Sequence, residues 1–131
     1  MTKAKLLQAA LGAFGLVFCL IYLLAISWPS GWAWHDGPPA ANHYFMMIVG
    51  VYAVLGVFLI RAAFDPPAHK SLIQFTIWSS VVHGAIMAAQ TRTMPGMEGH
   101  LLGDVPALFL VAVVLGYLTL EPKTVAKEVP A

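Results

Sequence analysis

The stretch WSSVVHGAIMAAQ, from Trp78 to Gln90, sets a histidine, two serines and a glutamine within a run otherwise apolar enough for a bilayer. An imidazole in such a place can exchange hydrogen bonds, relay a proton or ligate a transition metal. At steps of three and four residues, Thr76, Ser79 or Ser80, His83, Met87 and Gln90 share one face of a helix. In lipid a polar stripe must face protein or trapped water, because exposed polar groups find no partners there. His83 is therefore expected to point into a helical bundle. His83, Met87 and Gln90 are the candidate residues for holding a cofactor, a quinone or a lipid headgroup. The plainer reading of the stripe is that it fixes helix packing through a buried hydrogen bond.

A second set of chemistry-bearing residues falls at one end of the apolar segments. His35, His43, Glu98 and His100 lie in or beside loops, with Asp36, Asp104, Met46, Met47, Met94 and Met97 near them in sequence. Imidazole with thioether suits copper, and imidazole with carboxylate suits zinc or iron. His35, His43, Glu98 and His100 are thus candidate ligands of a transition metal ion. His83 lies seven residues inward of Gln90, about 10 Å at the helical rise. His43 and His83 are for that reason not expected to share one ion or one haem.

Other chemistry finds little footing. The chain has no HExxH, no paired CxxC, no phosphate-binding glycine loop and no nucleophile elbow. Cys19, the single cysteine, excludes a disulfide within the chain and a zinc site built from several thiolates. The net charge is +1, and no basic stripe could neutralise a run of phosphates, so nucleic acid is not an expected partner. A binding or accessory role is expected rather than an enzyme.

The elements that must position these residues follow from hydropathy. The 131 residues are 60% hydrophobic and 10% charged, whereas a soluble domain is about one quarter charged. Four segments are long and apolar enough to cross a bilayer, at roughly 6–28, 44–64, 72–90 and 101–120. The expectation is a single all-α domain: an integral membrane bundle of four transmembrane helices with a polar tail at 121–131. The stretches WPSGWAWHDGPPAANH, DPPAHKS and TRTMPGMEGH interrupt it with proline and glycine. The fourth helix is expected to begin at Asp104 as N-cap, with Pro106 tolerated in its first turn. The first segment, with Lys3 and Lys5 before it and Ala25-Ile26-Ser27 near its end, resembles a secretory signal. Its apolar run exceeds what a signal core needs, so it is expected to be retained.

Small residues mark faces for close contact: Gly12, Gly15 and Cys19 on the first helix, Gly50 on the second, Ala112 and Gly116 on the fourth. Such faces suit self-association or another membrane protein. Basic residues fix the orientation. With the N-terminus cytoplasmic, that side carries Lys3, Lys5, Arg61, Lys70, Lys123 and Lys127, and the other side only Arg92. Both termini are therefore expected in the cytoplasm, and the histidine and methionine cluster outside it.

The run MMIVGVYAVLGVFLIRAAFDPPAHKSLIQFTIWSSVVHGAIMAAQ, followed by GHLLGDVPAL, resembles a family of small bacterial four-span membrane proteins of unassigned function. The resemblance covers about Met46 to Leu110 and does not reach the first loop with His35, Asp36 and His43. It implies four helices in a bacterial inner membrane and no particular chemistry. Two readings follow. One is an outward-facing transition metal site; the other is an accessory or structural subunit whose stripe packs helices or docks a partner, lipid or quinone.

Overall fold

A computed structural model describes residues 1–33 and 37–120, and among these the chain is helical with no strand. His35, Asp36 and the tail 121–131, with Lys123 and Lys127, lie outside the described residues. The helices are α1 (Lys3–Cys19), α2 (Ile21–Ser27), α3 (Pro29–Trp32), α4 (His43–Phe64), α5 (Lys70–Gln90) and α6 (Asp104–Thr119). Short 3₁₀ turns at Pro39–Ala41, Pro66–His69 and Glu98–Leu101 lead into the last three. Local chemistry explains several of the ends. Thr2 and Asn42 accept from the backbone N–H of Lys5 and Phe45, at 3.4 and 2.9 Å, capping α1 and α4. Asp65 leaves the helical backbone region (φ −146°, ψ 75°) before Pro66, which stops α4.

Three helical stretches are long and apolar enough to cross a membrane: His43–Phe64, Pro66–Gln90 and Glu98–Thr119. A fourth exists only if α1 and α2 count as one span, and these meet at an angle of 59°. The unbroken first helix expected from the sequence is thus corrected. At Leu20 the N–H turns back to the carbonyls of Leu16 and Val17, and the ladder restarts with Leu24 N–H on the Leu20 carbonyl. No proline or glycine lies between Leu16 and Ser27.

The break follows directly on a backbone-to-backbone contact between α1 and α4. A Cβ added at Gly15 would lie 2.7 Å from the Gly56 carbonyl oxygen, and one at Gly56 only 2.5 Å from that of Gly15. The α1 and α4 backbones therefore touch, and the Cys19 thiol donates to the Ala53 carbonyl at 3.6 Å. Beyond that contact α2 leaves the line of α1. The expected small-residue faces need revision here. Gly50 and Gly116 have no neighbour within 4 Å of an added Cβ, and Gly56 carries the contact instead.

The helices form two pairs, α1 with α4 and α5 with α6, joined mainly along α1 and α6. Leu11, Leu59, Ile73, Val111 and Leu115 fill the shared core. Outward lie Val51, Val54 and Phe58 on α4, Phe75, Trp78, Val82 and Ile86 on α5, and Leu110, Val113 and Tyr117 on α6, all exposed. At one end the turn after α5 rests on α3, backbone against backbone. Added Cβ atoms at Gly99 and Gly103 would meet the carbonyl oxygens of Ser30 and Gly31 at 2.3 and 2.1 Å.

Candidate functional site

The stripe on α5 faces inward: Thr76, Ser80 and Met87 are buried and His83 is half-buried, while Phe75, Trp78, Val82 and Ile86 occupy the opposite, exposed face. Thr76 and Ser79 spend their hydroxyls on their own helix, donating to the carbonyls of Leu72 and Thr76 at 2.9 and 3.3 Å. His83 reaches across. Its Nδ1 lies 2.6 Å from the Tyr52 hydroxyl of α4. The Tyr52 ring meets Phe18 of α1 edge-on at 4.9 Å, which fixes where the hydroxyl points.

Tyr52 was not among the candidates read from the sequence. Beyond the first turn of α4 it is the only side chain with a hydroxyl, set in the apolar run IVGVYAVLG. A lone hydroxyl in a bilayer-length helix needs a partner, and that requirement was the available signal.

A second polar pair sits one turn toward the end of the bundle. His100 Nδ1 donates to both carboxylate oxygens of Asp104, at 3.0 and 2.9 Å, and His100 is only 1% exposed. Asp104 is the first residue of α6, whose N-cap is Gly103. The expected capping role of Asp104 is corrected accordingly, since its carboxylate turns to the imidazole four residues earlier.

Between the helix pairs lies a cavity of about 340 Å³, walled by Phe14, Phe18, Ile21, Leu24, Phe45 and Val111. Its titratable lining residues are Tyr52, His83 and Asp104, and Trp32 adds an indole. Two tautomers of the pair are compatible with the 2.6 Å contact. If the phenol donates to Nδ1, the imidazole keeps an Nε2–H to offer; if Nδ1–H donates to the phenol oxygen, the tyrosine keeps its O–H. Either way the pair keeps one donor, in a lining that also holds the Asp104 carboxylate. No lysine or arginine is among the lining residues.

The structure separates the other candidates. Met87 is buried and Gln90 exposed, and neither lines the cavity. His43 is exposed as the first residue of α4, Glu98 is exposed, His100 is buried against Asp104, and His35 lies outside the described residues. Among the described residues no three His, Cys, Asp or Glu side chains are grouped so as to hold a metal ion.

Neither a curated protein nor a solved structure matches the chain. A family model does, over residues 1–127, and so takes in the first loop as well as the segments whose resemblance was noted above. The chain therefore belongs to a family of unknown function (DUF6632).

Proposed function

We propose that this is a multi-pass protein of a bacterial inner membrane that holds an uncharged, lipid-soluble molecule in the cavity between its two helix pairs. Membrane placement is supported by the three or four spans and by the exposed apolar belts on α4, α5 and α6. Water-soluble monomers rarely leave such contiguous apolar faces bare. The distribution of basic residues supports cytoplasmic termini, with the Asp104 end of α6 on the outer side.

The observation that carries the binding reading is the Tyr52–His83 bond, set at 2.6 Å in the wall of an otherwise apolar space. Ligand pockets commonly combine apolar walls with a few convergent polar groups that fix orientation. Here a donor from the Tyr52–His83 pair and an acceptor from Asp104 suit a headgroup with a carbonyl or a hydroxyl, as in a quinone or quinol. A carboxylate ligand would meet Asp104 with no lysine or arginine to offset the repulsion. The chain's residues then orient the head and exclude water; the apolar walls take the tail.

Equilibrium binding of a short-tailed quinone and of a fatty acid to the purified protein in mild detergent tests this reading. Saturable quinone binding near one per chain is expected, with the fatty acid at least about tenfold weaker. Equal affinity for both, or no saturable binding of either, removes the cavity as the site.

A further inference from the structure

The side chain of Asp104 is 13% exposed, and among the described residues its hydrogen bonds come from a single group, the Nδ1–H of His100, itself 1% exposed. An ionised carboxylate offers about four lone-pair sites and no hydrogen of its own. One N–H shared between the two oxygens leaves acceptor sites open. The same residue lines the cavity of about 340 Å³, with no lysine or arginine beside it in the lining. A buried acceptor without donors is costly, and more so when it is charged. What the Asp104 carboxylate lacks is a further donor, and a molecule in the cavity can bring one.

The two oxidation states of a quinone differ in that respect. A quinone presents carbonyl acceptors only, whereas each hydroxyl of a quinol both donates and accepts. A quinone would take the one donor kept by the Tyr52–His83 pair, but would bring Asp104 nothing except more lone pairs. A quinol would accept from that pair through one hydroxyl and donate to the carboxylate through a hydroxyl hydrogen. The second bond is charge-assisted, about twice as strong as one between neutral groups. We propose that the cavity selects the reduced, dihydroxy form of its ligand, and that Asp104 is the residue that distinguishes the two oxidation states. The inference rests on the quinone reading of this cavity and deepens it. It concerns binding alone and calls for no electron transfer within the chain.

The test is a pair of titrations without oxygen, of a short-tailed quinone and of its quinol, against the purified full chain in mild detergent. The quinol is expected to bind about tenfold more tightly. Preference for the reduced form raises the midpoint potential of the bound couple, by about 30 mV for a tenfold preference in a two-electron couple, and so gives a second readout. The dimethyl ether of the quinol, reduced in the ring but with no hydroxyl hydrogen, should bind no better than the quinone. Asp104→Asn, whose amide donates as well as accepts, should lose the preference and the potential shift together. The parent's ratio and the ether need no variant, so they decide the matter should Asp104→Asn fail to fold. Tighter binding of the quinone, an ether that binds like the quinol, or a preference that survives in folded Asp104→Asn would each overturn the proposal. So would equally tight binding of a fatty alcohol with the same tail length, which would make a lone hydroxyl the ligand. Saturable binding of both forms without preference refutes the selection alone; no saturable binding of either refutes the quinone reading from which it starts.

Discussion

The Tyr52 hydroxyl and His83 Nδ1, 2.6 Å apart, join α4 to α5, two helices that otherwise scarcely touch. One belongs to each helix pair, so this hydrogen bond spans the seam where the cavity lies. It packs the two pairs together and, in the reading proposed above, orients a ligand, and substitutions can separate the two.

His83→Gln keeps a donor and an acceptor at similar reach, so thermal unfolding in detergent and quinone binding should both stay near the parent's. His83→Leu strands the Tyr52 hydroxyl and should destabilise by about 1 kcal/mol, the order measured for hydrogen bonds between membrane helices. Loss of quinone binding in His83→Gln with stability unchanged would mean that a hydrogen-bond donor alone does not account for the site.

Asp104→Asn removes the carboxylate from the cavity wall while preserving its shape. Fatty acid binding should then tighten by about tenfold relative to quinone binding, as loss of a nearby like charge requires. A ratio that does not move would mean that Asp104 is not what discriminates against anions.

Gly56→Ala should be the most damaging small substitution on α4. Its Cβ would lie 2.5 Å from the Gly15 carbonyl oxygen and 2.7 Å from the Cys19 sulfur, and a backbone oxygen cannot rotate away. A loss of about 1–3 kcal/mol is expected, in the range of other overpacked sites. Gly50→Ala, on the same helix with nothing within 4 Å, should be neutral or slightly stabilising. Equal melting temperatures for the two variants would refute the backbone contact.

A reporter fused after Ala131 should be active only in a form that works in the cytoplasm. The basic residues Arg61 and Lys70 at the same end of the bundle as Lys3 are the ground for that expected orientation. Periplasmic activity there would overturn the orientation.

Where side-chain periodicity decides, the fold was legible. The inward stripe of α5 could be read because Thr76, Ser80, His83 and Met87 recur at helical steps, and the end of α4 could be read because Asp65-Pro66-Pro67 stops it. The break at Leu20 was not legible, since no helix breaker marks it and its setting is the contact of α1 with α4. Pairing between helices was equally hidden. Gly50 and Gly56 are alike in a sequence, and only the rotation of α4 chooses Gly56. In the candidate site, His83 was found from its unlikely surroundings, whereas Tyr52 passed as an ordinary aromatic in an apolar run. The rim candidates His43, Glu98 and His100 were grouped by proximity to one end, which does not say that Asp104 already engages His100.

The pairing of α1 with α4 and of α5 with α6 also sets an order of assembly. Each pair consists of spans consecutive in the chain, so each can close as a helical hairpin while the ribosome is still extending the polypeptide, without waiting for the other. The seam between them can form only afterwards, and with it the cavity. Separately tagged halves, 1–65 and 66–131, should therefore insert independently and copurify, and a molecule that fills the cavity should strengthen their association by mass action. Halves that never copurify, with ligand or without, would mean that the hairpins are not autonomous units.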